Sequence, residues 1–140
     1  MEFDVKSKEA LAWVAGFFCG EGSISITRAY IGLVSMVQKD PKPLELVHKI
    51  LAAYGVENPS PWYSERMGVF ELTFSNTRGF EFLHLIMSYP MREKHRKRAE
   101  VYLKMFPPEK KGIHRRGERN DCYAEWLQLR ITELQGYIGR

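Results

Sequence analysis

The hydrophobic pattern changes period at Gly22, with no linker between the two regimes. Across residues 8–20 the apolar side chains Leu11, Val14, Phe17 and Phe18 recur at helical spacing, and Trp13 widens the stripe. Immediately afterwards Ser23, Ser25 and Thr27 alternate with Ile24 and Ile26, the period-two pattern of a half-buried strand with small polar side chains on its other face. The chain must therefore pass from helix to strand within about one residue. Gly22 suits the C-terminal cap, and Ser7 is a candidate N-cap that can accept a bond from an early helical N–H.

The same logic extends downstream. A second strand over 31–38 follows the short segment Arg28-Ala29-Tyr30, which makes the pair a hairpin. Asp40-Pro41 opens a helix whose Leu44, Val47, Ile50 and Leu51 share one face, and Gly55 ends it. Strand-like runs at 62–66 and 69–75 flank Met67-Gly68 as a second hairpin. Asn76 or Thr77 could cap a helix over 78–88, ahead of Pro90, and another over 93–106 stops at Pro107-Pro108. Residues 109–120 read as a polar connector, and Tyr123, Trp126, Leu127, Ile131, Leu134 and Ile138 as a terminal amphipathic helix docked on the body. The fold class expected is α+β: a helix-hairpin-helix-hairpin-helix core with one four-stranded antiparallel sheet, covered by helices and followed by C-terminal helices, in a single domain over 1–140.

Hydrophobic residues make up 44% of the 140 and charged ones 27%, a balance that places the chain among folded proteins and not disordered ones. No apolar run approaches the roughly 18 residues of a membrane span. Met1-Glu2-Phe3-Asp4 lacks the basic-then-apolar order of a secretory signal, so an intracellular protein is expected, in the cytoplasm or an organelle. Cys19 and Cys122 have no close CxxC partner and read as free thiols, which leaves a zinc site or disulfide framework without support. The net charge of +4 is unevenly placed: residues 92–119 hold eleven Lys or Arg against four Glu. Such a stretch reads either as a polyanion footprint or as a solvated helix face with a basic loop.

Glu21 breaks a local rule. A carboxylate at the C-terminal end of a helix opposes the macrodipole at a cost of roughly 0.3–1 kcal/mol. A divalent cation would offset that cost, held by the carboxylate and by a helix-end carbonyl such as that of Gly20; the plain alternative is an exposed Glu whose cost is tolerated.

The run Val14-Ala15-Gly16-Phe17-Phe18-Cys19-Gly20-Glu21-Gly22, followed by Ser23-Ile24-Ser25-Ile26, resembles the signature of the LAGLIDADG homing endonuclease family. The likeness lies in the small pair Ala15-Gly16, the apolar pair Phe17-Phe18, the acidic Glu21 and the glycine leading into an alternating strand. The order of elements extends the resemblance to about Phe106, roughly three quarters of the chain. Two positions depart from the pattern. Cys19 stands where the family usually has its first Asp, which is not the metal-carrying one, and Glu21 replaces Asp while keeping charge and oxygen ligand.

The resemblance implies a site-specific endonuclease that breaks both strands of duplex DNA with Mg²⁺, or another divalent metal such as Mn²⁺, cutting across the minor groove to leave short 3′ overhangs. One motif per chain implies a homodimer whose motif helices meet at a two-fold axis, with Ala12, Ala15 and Gly16 allowing close approach and the flanking aromatics turned into each subunit's core. Each Glu21 would anchor metal with help from Gly20, and Gln38 would match the polar residue ending the second strand. The basic residue near the start of the late helix would be Lys94, His95 or Lys97, with Lys94 preferred. A two-stranded ribbon fits the major groove, so the base-facing set would be Ser23, Ser25, Thr27, Arg28, Tyr30 and Ser35 from the first hairpin. Ser64, Arg66, Glu71 and Thr73 would come from the second, with Lys39 and Lys42 on phosphates, and symmetry would give a long pseudo-palindromic site. Two readings compete with this: a cleavage-inactive LAGLIDADG-like RNA maturase or DNA-binding protein, and a basic α+β interaction domain.

Overall fold

The computed structural model describes residues 4–108 and 116–138. Ser7 caps the first helix as expected, its hydroxyl accepting from the Ala10 N–H at 3.1 Å, and α1 runs Lys8–Glu21. The chain turns directly into β1 (Gly22–Ile26), pairs back through β2 (Gly32–Gln38), and continues into α2 (Lys42–Ala53). The second unit repeats the plan with β3 (Trp62–Ser64), β4 (Val69–Ser75) and α3 (Thr77–Ile86), followed by α4 (Glu93–Met105) and α5 (Arg116–Ile138). All strand pairs are antiparallel and the sheet order is β1-β2-β4-β3, so the two hairpins join through β2 and β4.

One face of the sheet is dry. Ile24 and Ile26 of β1, Val34 and Met36 of β2, and Leu72 and Phe74 of β4 are buried with Val14 and Phe18 of α1, Leu44 and Val47 of α2, and Phe82 and Ile86 of α3. Phe82 stacks on Phe74 and meets Phe18 edge-on at 5.2 Å, tying α3 to the sheet and to α1. Tyr102 of α4 is fully buried, and its hydroxyl donates to the Asn76 carbonyl at 2.8 Å. Burial pushes the pKa of that phenol up.

Several local expectations change. Asn76 precedes α3, but its side chain makes no cap bond; its amide oxygen accepts from the Gly32 N–H at 2.9 Å and so clamps β2 to the end of β4. The second hairpin turns over four residues and not two, because Gly68 N–H bonds back to the Ser64 carbonyl at 2.8 Å. Helix α5 begins inside the expected connector, at Arg116, while 109–115 lie outside the described residues. It docks through Trp126, whereas Leu127, Ile131 and Leu134 face solvent; the side chain of Ile138 lies outside the described residues. Among the described residues no helix is long and apolar enough to cross a membrane.

Candidate nucleic-acid interface and acidic junction

The α1–β1 junction is held by contacts that local sequence does not display. Gly22 caps α1 by donating to the Phe18 carbonyl, and a Cβ there would lie 2.6 Å from that oxygen and inside the Phe18 ring envelope. Only glycine fits without displacement. On its other side the Gly22 carbonyl accepts from His95 Nε2 at 3.1 Å, and three residues further along α4 Arg98 Nη1 donates to the Ile24 carbonyl at 3.2 Å. Carbonyls two residues apart on a strand point the same way, and β1 is an edge strand. Thus α4 closes the outer edge of β1 with two side-chain donors on one helix face.

His95 is 9% exposed and rests edge-on against Phe18. Because Nε2 must donate to Gly22, Nδ1 carries the lone pair, and among the described residues it has no partner. Burial lowers its pKa, the hydrogen bond to Gly22 opposes that, and Arg92, Arg98 and Lys94 lower it further. Arg98 also grips Glu133 of α5 through Nε at 3.0 Å and Nη2 at 2.7 Å, and its guanidinium lies over Trp126. Burial pushes the Glu133 carboxyl upward, but the Arg98 and Arg130 guanidiniums outweigh it and hold its pKa low.

Glu21 emerges from this frame as the last residue of α1, exposed, and it pairs with no cation among the described residues. Gln38 ends β2 two residues beyond Met36, the partner of Gly22, and so lies at the same end of the sheet. Of the three basic candidates, His95 turns inward, Lys97 pairs with Glu93 at 3.2 Å, and Lys94 is exposed beside the α4–α5 groove with no described ion-pair partner. The basic stretch is thus partly committed internally: Arg96 donates to the Met87 and Tyr89 carbonyls, the Arg98 side chain is largely enclosed, and Lys104 pairs with Glu125 at 2.9 Å.

The outer face of α1 differs from expectation. Ala15 is buried in the subunit's own core, whereas Ala12, Gly16 and Gly20 share an exposed face at four-residue spacing. A Cβ at Gly16 or Gly20 would meet nothing within 4 Å. Only Phe18 of the nearby aromatics is fully enclosed; Trp13 and Phe17 stack at 5.3 Å and stay half exposed.

The sheet's second face is open. Its rows, read across the ladder, are Ser25, Leu33 and Ser75; Ser23, Ser35 and Thr73; and Val37, Glu71 and Trp62. Arg28 and Arg66 are exposed in the two hairpin turns, and Lys39 and Lys42 just beyond β2. Five expected base-facing groups already have partners, two of them each other: the Ser35 and Thr73 hydroxyls hydrogen-bond across β2 and β4 at 3.1 Å. Tyr30 packs on Tyr123 and hydrogen-bonds Asn120, both on α5. Thr27 accepts from the Ile31 N–H at 3.2 Å, and buried Ser64 accepts from the Met67 N–H at 3.3 Å. Sequence reasoning missed Leu33, Val37 and Trp62 on this face; the alternation that placed Ser35 outward carried the signal for Leu33 and Val37, and the one that named Ser64 carried it for Trp62.

Among the described residues no group of three His, Cys, Asp or Glu converges. One exposed carboxylate at a helix end fits an Mg²⁺ that keeps water and takes further oxygens from a phosphate, and does not fit an all-protein cage.

By sequence, the chain matches no protein-family model and no curated protein. By fold it is similar to the homing endonuclease I-CvuI, solved with the I-CreI target in 2 mM Mg and with that DNA not cleaved: 19% identity, TM-score 0.53, covering 74% of this chain and 71% of that one. It is also similar to I-SmaMI bound to uncleaved target DNA in the presence of calcium, at 16% identity and TM-score 0.52, covering 81% of this chain. The match spans only 42% of I-SmaMI, less than half its length. The architecture is that of the LAGLIDADG endonuclease fold, α+β with a four-stranded antiparallel sheet.

Proposed function

We propose that two copies of this chain form a metal-dependent endonuclease that breaks both strands of duplex DNA at a long pseudo-palindromic site. The observation that carries the reading is an exposed, unpaired acid, Glu21, ending a helix whose outward face is small and flat at Ala12, Gly16 and Gly20. Glycine within a helix costs about 1 kcal/mol against alanine. Among the described residues nothing lies within 4 Å of a Cβ at Gly16 or Gly20, so the close approach glycine permits there is to another helix. Isologous packing of α1 on its copy puts both Glu21 carboxylates near one axis, each beside its own β1.

In this assembly Glu21 and the Gly20 carbonyl would hold the cation. A bound Mg²⁺ or Mn²⁺ would supply Lewis-acid stabilisation of the phosphoryl oxygens and a more acidic water. Gln38 orients water at the scissile phosphate, and Lys94, the unpaired cation among the three candidates, adds positive charge there. The open sheet face lies in the major groove with Ser23, Ser25, Ser35, Glu71 and Thr73 facing bases; Arg28 and Arg66, expected on bases, lie in the hairpin turns at the ends of the sheet and so join Lys39 and Lys42 on phosphates. The site of action is intracellular, wherever the target DNA resides.

The test is Glu21→Gln on a target selected from a randomised duplex library. Cleavage is lost while DNA affinity is retained, because a metal ligand goes and a base contact does not. Unchanged cutting overturns the assignment, and RNA-selective binding without nicking moves the protein to the maturase reading. Sedimentation supplies the second arm: the wild-type mass is that of a dimer, and Gly16→Leu shifts it toward monomer.

A further inference from the structure

The open sheet face carries more apolar surface than a solvated face needs. Val37 is 39% exposed and Trp62 50% exposed, and both stand in the same cross-strand row as Glu71, one on either side. Single exposed apolar residues are ordinary, but here two flank a carboxylate that pairs with no cation among the described residues. The cations lie at the ends of the sheet and beyond it, Arg28 and Arg66 in the turns and Lys39 and Lys42 after β2, while no Lys or Arg lies within the four strands. That distribution matches a duplex, with phosphates at the periphery and base edges over the middle.

A carboxylate is acceptor-only, and phosphates repel it, so in a groove it gains only where a base presents a donor. Guanine offers O6 and N7 and thymine offers O4, all acceptors; cytosine offers its N4 amino group alone, and adenine pairs its amino group with an N7 acceptor. Glu71 therefore favours cytosine. Adjacent strands are roughly 4.8 Å apart against a base rise of roughly 3.4 Å, so Val37 and Trp62, one strand to either side of Glu71, are offset by about one to two base pairs and their side chains reach the flanking pairs. The apolar feature there is the C5-methyl of thymine.

We propose that the row Val37, Glu71 and Trp62 is a base-reading row, in which Glu71 accepts a hydrogen bond from cytosine N4 and the two apolar side chains contact thymine methyl groups on adjacent pairs. This rests on the reading of the protein as a duplex-DNA endonuclease, and it names part of the target that such an enzyme selects.

The experiment is a binding selection from a randomised duplex library in Ca²⁺, run with the full chain and with Glu71→Gln, Val37→Ser and Trp62→Ala. The wild type enriches a motif holding a cytosine flanked by thymine. Glu71→Gln loses about tenfold of the cytosine preference at that one position, moving it toward adenine, and leaves the remaining positions intact, which also shows that the variant folds. Replacing the flanking thymine by deoxyuridine removes only the methyl group and weakens wild-type binding about fourfold. Binding of the variant lacking the matching apolar side chain is unmoved by that replacement. An enriched motif that Glu71→Gln leaves unchanged, or a wild-type affinity indifferent to the missing methyl, overturns the row assignment and leaves the endonuclease reading standing. No enriched motif from the wild type overturns both.

Discussion

The sheet has two edges, and they differ in every respect that matters here. On the β1 side, α4 supplies His95 and Arg98 to the outward carbonyls of Gly22 and Ile24, and Arg98 is in turn held by Glu133. On the β3 side the strand is three residues long, and Trp62 and Tyr63 remain half exposed. A closed edge holds the backbone of one residue steady, whereas a bare one leaves side chains free to meet a ligand. The closed edge is the one that carries Glu21, and steadiness there would serve the role proposed for that carboxylate, holding a cation against a fixed phosphate. The bare edge suits recognition, where side chains settle against a surface that varies in sequence.

Breaking the closed edge should have the largest effect. Arg98→Met removes the donor to Ile24 and leaves Glu133 enclosed with Arg130 as its remaining partner, and it should cost about 3 kcal/mol in urea unfolding. A loss below about 1 kcal/mol would show that the edge is held by packing alone. Next comes Gly22→Ala, whose Cβ collides with the Phe18 ring and carbonyl; overpacking of this kind costs about 2 kcal/mol.

His95→Phe sharpens the comparison further, since it keeps a ring against Phe18 and deletes the bond to Gly22 for about 1 kcal/mol at pH 7.5. Its more specific readout is pH. The folded-state pKa of His95 lies below its ordinary 6.5, so as pH falls through that value the unfolded chain binds a proton that the folded one refuses. Wild-type stability should decline from pH 6.5 down to the folded-state pKa, and His95→Phe should remove that part of the decline. The smallest effect is expected at the bare edge: Trp62→Ala should change unfolding free energy by no more than about 0.5 kcal/mol. A larger loss would mean that β3 is integral to the core.

Much of the fold was legible in sequence because it is written in local periodicity. The switch at Gly22, the Ser7 cap and the alternation through Phe70, Leu72 and Phe74 each identify an element and its buried side without reference to anything distant. The resemblance carried by residues 14–26 likewise pointed to the fold that the structure shows. Less legible was the use made of polar side chains. The run of cations in α4 reads as a solvated or polyanion-binding face, yet Arg96 and Arg98 are turned to backbone carbonyls inside the subunit. Tyr30 offered no sign that α5 would claim it. Ala15, expected on the outer face, turns inward instead, since a helical stripe fixes spacing but not which of two adjacent small residues, Ala15 or Gly16, faces out.

What the sequence determined alone is the set of elements, their order and the acid at the end of the first helix, because each depends on hydrogen bonds and apolar spacing within a few residues. Tertiary structure decided what surrounds that acid and which side chains stand beside Glu71 on the open face. His95 and Gly22 are 73 residues apart in the chain, and the rows of the sheet join four separate strands. Contacts of that range exist only after the layers have packed, since the direction of a donor is set by the docking of its whole helix and not by the residues beside it.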